Sequence, residues 1–373
     1  MLRNLFQKSL LAVLLVFFLV FSVNSFLAQG GDFEVFWNAG LNYITGQPIY
    51  DLARDGGTCY KYPPWITPLF LPFSIFPLRV AGVLWRLFQL GCLFYSLQWC
   101  KERCRSFASI LFIFFNFWGI WMNNVLTGQI SILLLALALF GFSLAEKKIE
   151  NYGLDFFSIF ISLSAKVFTL VSFFGVPMRI FSFRKILVLI LWIGLASVPA
   201  LWGYSWHLDR LLAASSETML SVGGKIGGGH YGLPSLWVSL FSFDPENHRS
   251  HLIGFIISLV TVGCFYFWIR QHLSKSVDRF VTALALGLAI HPLAFSYTFA
   301  MGFPLAVFTL DRAMKFNYFM RALTFFGVAG VSFLPLTDHI PFKALSVILL
   351  SGLLAFMQRL PSGSLGAAQD LHQ

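Results

Sequence analysis

Long apolar runs separated by short polar segments make up nearly the whole chain, and their lengths predict membrane-spanning helices instead of the buried helices of a soluble core. The first run, Leu10 to Leu27, is long enough to cross a bilayer. After it, Phe33 to Tyr50 mixes aromatic and small residues at roughly helical spacing and stops at Gly46-Gln47-Pro48, the pattern of an amphipathic helix lying on the outer membrane face. Pro63 to Pro77 carries five prolines, at 63, 64, 68, 72 and 77, which predicts a short broken helix or re-entrant piece; the competing reading, a full span from Pro63 to Leu78, would put the basic cluster at Lys101 to Arg105 outside and is disfavoured by the charge rule. Further spans are expected at Val80 to Trp99, Ser106 to Met122, Ile130 to Ala145, Ile186 to Gly203, Leu252 to Ile269, Phe280 to Ile290, Thr298 to Leu310, Tyr318 to Leu334 and Phe342 to Phe356. Leu154 to Val176 has room for one long span or two short ones. In all, roughly ten to twelve crossings are expected.

Composition agrees with that pattern: 57% of the 373 residues are hydrophobic and 11% charged, against about 25% charged in soluble domains. The net charge of +10 is spread between spans and forms no single basic face, which argues against nucleic acid. The basic residues instead act as topology signals: Arg3 and Lys8, Lys101 to Arg105, Lys147 and Lys148, Arg179 to Lys185, Arg270 to Arg279, and Arg312 to Arg321. Placing all of them in the cytoplasm makes Leu154 to Val176 a hairpin. It also leaves Gly30 to Tyr62, Asn123 to Gln129 and the turn at His291 outside. One integral membrane domain over residues 1 to 360 is expected, with an outer loop at about 29 to 63 and a disordered tail from 361 to 373. The N-terminus also has the makings of a signal peptide, with cleavage near Ala28. Its apolar stretch exceeds the usual h-region, so a retained first helix is expected. Five cysteines yield no evident disulfide pair and read as packing residues.

The chemistry concentrates just after the first span. Asp32, in Gly30-Gly31-Asp32-Phe33-Glu34-Val35-Phe36-Trp37, would be held at the outer surface, where a carboxylate can accept a proton. Its structural alternative is the N-cap of the following helix. Glu34 and Asp51 are weaker candidates. Lys166, between Ser164-Ala165 and Val167-Phe168, is costly in lipid unless it faces a partner or a cavity, or snorkels. The glycine-dense loop from Gly223 to Gly232 lacks a Walker ending and reads as a lid or a connector. No His, Cys or carboxylate grouping has metal-ligand spacing, so no metal or other cofactor is expected; Asp244, Glu246, His248 and His251 read as a solvated turn.

Asp32 to Gly40, Gly46-Gln47-Pro48-Ile49-Tyr50-Asp51 and Tyr60-Lys61-Tyr62-Pro63-Pro64 together resemble the polyprenol-phosphate-mannose-dependent alpha-mannosyltransferases of the C-type membrane glycosyltransferase superfamily. Thr127-Gly128-Gln129-Ile130-Ser131, Lys166 and His291-Pro292 follow in the matching order, although the usual Lys-Pro is Lys166-Val167 here. The resemblance implies an all-α C-type glycosyltransferase fold and a polyprenyl-phosphate sugar donor. It further implies transfer of a hexose, mannose above all, to a glycolipid or glycan at the outer face of the cytoplasmic membrane. Asp32 matches the catalytic base. Trp37, Tyr50, Lys61, Tyr62, Gln129, Lys166 and His291 are the candidate substrate contacts, with Lys166, Lys61 or His291 facing the phosphate. A lipid-sugar flippase and a non-catalytic subunit of the same fold are the competing readings.

Overall fold

The computed structural model describes residues 16, 31–50, 60, 62–147, 153–165, 174–175, 181–201, 233–234, 237, 241, 248–290, 296–332 and 342–360. Apart from Val16, the expected first span lies outside these, as does the tail. The described residues are helical, with no strand among them. In chain order the helices are α1 Asp32–Thr45, α2 Leu71–Ser74, α3 Leu78–Arg103, α4 Phe107–Asn116, α5 Trp118–Thr127, α6 Ser131–Lys147 and α7 Leu154–Ser164. They continue as α8 Phe183–Leu201, α9 His248–Arg270, α10 Ser276–Ala289, α11 Phe303–Ala313, α12 Tyr318–Ser332 and α13 Phe342–Arg359. Two 3₁₀ segments, Pro64–Phe70 and Ser296–Gly302, precede α2 and α11.

The helix expected from Phe33 forms, over Asp32–Thr45. Asp32 and Glu34 occupy its first turn, where carboxylates complement the helix dipole, and Gly46 ends it in the left-handed conformation at φ 72°. The N-cap is Gly31, so Asp32 is the first helical residue and its expected capping position moves back by one. The proline-rich stretch is broken as its composition requires. Pro64–Phe70 winds as a 3₁₀ helix with Pro68 inside it, and Pro77 caps α3. α1 lies directly on this piece: Ser74 Oγ donates 3.0 Å bonds to the carbonyls of Trp37 and Phe70, and Phe36 stacks on Phe70 at 4.7 Å.

The helices run between two chemically different ends. At one end cations meet carboxylates: Arg103 with Glu146 at 2.7 Å, Lys185 with Asp155 at 2.6 Å, and Arg312 with the fully buried Asp278 at 2.7 Å. Gln358 also donates to Asp278 at 2.9 Å, and Asp311 accepts from the backbone N–H of Ser106 at 2.7 Å. The basic segments around Arg103, Lys185 and Arg312 therefore share one end of the bundle, while Arg3, Lys8, Lys148 and Arg179 lie outside the described residues. At the other end lie α1, the Thr127 to Gln129 turn, and Trp65, whose indole donates to Ser164 Oγ at 3.1 Å. Asp155 and Gly175, which packs against Arg279 and Ala283, are at the basic end while Ser164 is at the opposite one. Residues 166–173, where the hairpin reading of Leu154 to Val176 has its turn, lie outside the described residues.

α3 and Leu252–Arg270 are each long and apolar enough to cross a membrane. α4 and α5 pass that test together, bent by 56°. The span expected at Ser106 to Met122 is thus a bent pair of helices that reaches Thr127. No proline marks the kink; buried Phe117 sits at it, with its ring 5.9 Å from Trp121 and 5.6 Å from Phe303. The span expected from Thr298 to Leu310 likewise begins as a 3₁₀ segment and becomes α-helical at Phe303, with Pro304 in the first turn. Cys92, Cys100, Cys104 and Cys264 are free thiols.

Candidate functional site

The site is built where the start of α1 meets the end of α5. Gly128 closes α5 in the left-handed conformation at φ 74°, and its N–H caps the carbonyl of Asn124. The missing side chain also makes room: a Cβ on Gly128 would lie 2.5 Å from Cβ of Phe33. Gly31, at φ 105°, brings its own backbone against Thr127, with an added Cβ 3.2 Å from that carbonyl oxygen. Two glycines thus allow a contact in which the Gln129 amide Nε2 donates to Oδ2 of Asp32. The carboxylate is partly exposed, whereas Gln129 is buried.

Backbone that breaks from helix in apolar surroundings must find hydrogen-bond partners within the protein. Here they come from one face of α3. Trp85 Nε1 donates to the Gly128 carbonyl at 2.9 Å, Arg86 Nη2 to the Leu126 carbonyl at 3.2 Å, and Gln89 Nε2 to the Gln129 carbonyl at 2.5 Å. Trp85 also stacks on Phe33 at 5.5 Å, which couples the same helix face to the residue following Asp32. Arg86 and Gln89 are functional positions beyond the sequence-derived candidates. Their signal was present as two polar residues three apart, and so on one helix face, within an apolar span.

The aromatic candidates form a cluster beside this contact. Trp37 donates its indole N–H to the Phe76 carbonyl at 3.0 Å. Buried Tyr50 donates to the Tyr62 carbonyl at 2.6 Å, and Tyr62 and Tyr60 surround Phe36 edge-on. Burial pushes the Tyr50 and Tyr60 hydroxyls well above the ordinary tyrosine range. Each of the three candidate aromatics therefore makes a structural bond or contact within the protein. Of the sequence-derived candidates, the structure brings together Asp32 and Gln129 and places Trp37, Tyr50 and Tyr62 around α1. Lys61, Lys166 and His291 lie outside the described residues, as do Asp51 and the glycine-dense loop. Among the described residues no group of three or more His, Cys, Asp or Glu is arranged to hold a metal ion.

An accessible carboxylate oriented by a buried amide, at one end of an all-helical membrane protein, is an arrangement able to take a proton from a hydroxyl arriving from outside the bundle. The class itself comes from the family comparison, and it is that of the membrane glycosyltransferases. The chain belongs to glycosyltransferase family 87, whose family model matches residues 60–292. That stretch takes in Gln129, its α3 supports and the aromatic pair Tyr60 and Tyr62, and begins after Asp32. No curated protein and no solved structure matches the chain.

Proposed function

We propose that this glycosyltransferase transfers a hexose, mannose being the sugar its motifs favour, from a polyprenyl-phosphate donor to a glycolipid or glycan acceptor. The fold is of the C type, with ten to twelve crossings in the cytoplasmic membrane, and the Asp32 end faces away from the cytoplasm. The observation that carries the reading is the Asp32 carboxylate, partly exposed and held by the buried Gln129 amide.

Asp32 is the general base. As the acceptor oxygen attacks the anomeric carbon, the bond from that carbon to the donor phosphate oxygen breaks. The acceptor's proton passes to the carboxylate, and the lipid phosphate leaves with the bonding electron pair. Displacement in one step inverts the anomeric centre, and a single carboxylate suffices for it. Hydrolases that work through two carboxylates place a second one across the bond. The basic segments gathered at the opposite end support the orientation.

The test is sugar transfer from labelled polyprenyl-phosphate mannose in membranes carrying the native chain or Asp32→Asn at matched expression. Transfer that is present in the native chain and collapses in the variant is the expected result. Equal transfer by both removes Asp32 from the role of base.

A further inference from the structure

Arg86 lies eight residues into α3, about 12 Å along the helix from Leu78, and is 6% exposed. A guanidinium carries five N–H donors. Arg86 uses two, on the carbonyls of Gly82 at 3.0 Å and Leu126 at 3.2 Å. None of the ion pairs among the described residues includes it. The charges at the basic end contrast with this: Arg103, Lys185 and Arg312 each have a carboxylate. An ionised side chain within a membrane span is costly without a counter-charge, and such residues mark sites where an ion or substrate is handled.

Helix capping does not account for the charge. The neutral donors Trp85 and Gln89 satisfy the carbonyls of Gly128 and Gln129 on the same turn, and a neutral donor at position 86 would serve Leu126 equally well. The turn also holds the opposite charge. Gln129, three residues beyond Leu126, binds Asp32, yet Asp32 and Arg86 form no ion pair. Neutral carbonyls hold the guanidinium. The guanidinium keeps three donors for an anion.

We infer that Arg86 binds the phosphate of a polyprenyl-phosphate substrate, its planar fork facing phosphate oxygens at the Asp32 end of α3. The inference rests on the proposed function and adds to it the residue that meets the leaving group. As the sugar departs, negative charge grows on the phosphate, and a fixed guanidinium stabilises it where water is scarce.

The test measures binding of polyprenyl phosphate, and of the matching polyprenol without phosphate, to the purified full-length protein in lipid nanodiscs by native mass spectrometry. The native chain is expected to prefer the phosphate. Arg86→Met should lose about tenfold or more of that affinity, while Arg86→Lys keeps part of it. Arg86→Gln retains an amide donor for Leu126 and covers the case in which Arg86→Met does not fold; it too should lose the preference. Phosphate binding by Arg86→Gln or Arg86→Met at the native level overturns the inference and leaves the donor assignment standing. A native chain that binds alcohol and phosphate alike overturns the donor assignment, and the role of Arg86 with it.

Discussion

Gly128→Ala should damage this protein far more than a glycine-to-alanine change in a helix ordinarily does. Two effects add. The backbone at φ 74° costs an alanine roughly 1 to 2 kcal/mol. The new Cβ would also lie 2.5 Å from Phe33 Cβ and 3.2 Å from the Phe33 backbone nitrogen, against atoms fixed by the first turn of α1. Forcing α1 away costs a further 1 to 3 kcal/mol or so. The sum, about 3 kcal/mol, falls on the contact that joins Asp32 to Gln129. Graded denaturation of the detergent-solubilised protein should show the loss, and sugar transfer should fall with it. Gly91→Ala is the control, since nothing lies within 4 Å of its added Cβ, and it should match or slightly exceed native stability. A Gly128→Ala protein as stable and as active as the native one would refute the packing of α1 on this turn.

Gln129→Met should lower kcat by about ten- to a hundredfold, the value of a charge-assisted hydrogen bond, with little change in the donor KM. A rise in KM alone, in steady-state assays over donor concentration, would place Gln129 on the substrate instead of on Asp32. Asp278→Asn leaves the Arg312 guanidinium without its buried carboxylate and should cost about 3 kcal/mol, with part regained in Asp278→Asn/Arg312→Met. A denaturation series of the two singles and the double checks it. The raised Tyr50 and Tyr60 hydroxyls contribute stability that is present below the ordinary tyrosine value near 10. It is lost as pH climbs from there toward their folded-state values. Ultraviolet titration should accordingly find these tyrosinates only as the protein unfolds, and Tyr50→Phe should lessen the alkaline sensitivity. Early, reversible titration of both would contradict their burial.

Local regularities in the chain carried much of this description. Apolar run length identifies a helical membrane protein because each backbone group in lipid must bond within its own helix. Gly46-Gln47-Pro48 ends α1, and the prolines from 63 to 77 break their segment, because both effects act on neighbouring residues. The clustering of basic residues between spans likewise anticipated a shared end, since long-range charge placement follows from alternation alone. The kink at Phe117 has no local mark, because packing against Phe303, far along the chain, accompanies it. Asp32 and Gln129 were each visible as candidates, but Gln129 as a sugar contact. That its amide reaches Asp32 depends on two glycine backbones approaching across 97 positions of sequence, a matter of tertiary geometry. Arg86 shows the same division: its presence in an apolar span is a property of the sequence, whereas its separation from every carboxylate among the described ion pairs is a property of the fold. Pattern and propensity act over a few residues, while charge pairing and backbone contact are decided by which distant segments the packed helices bring together.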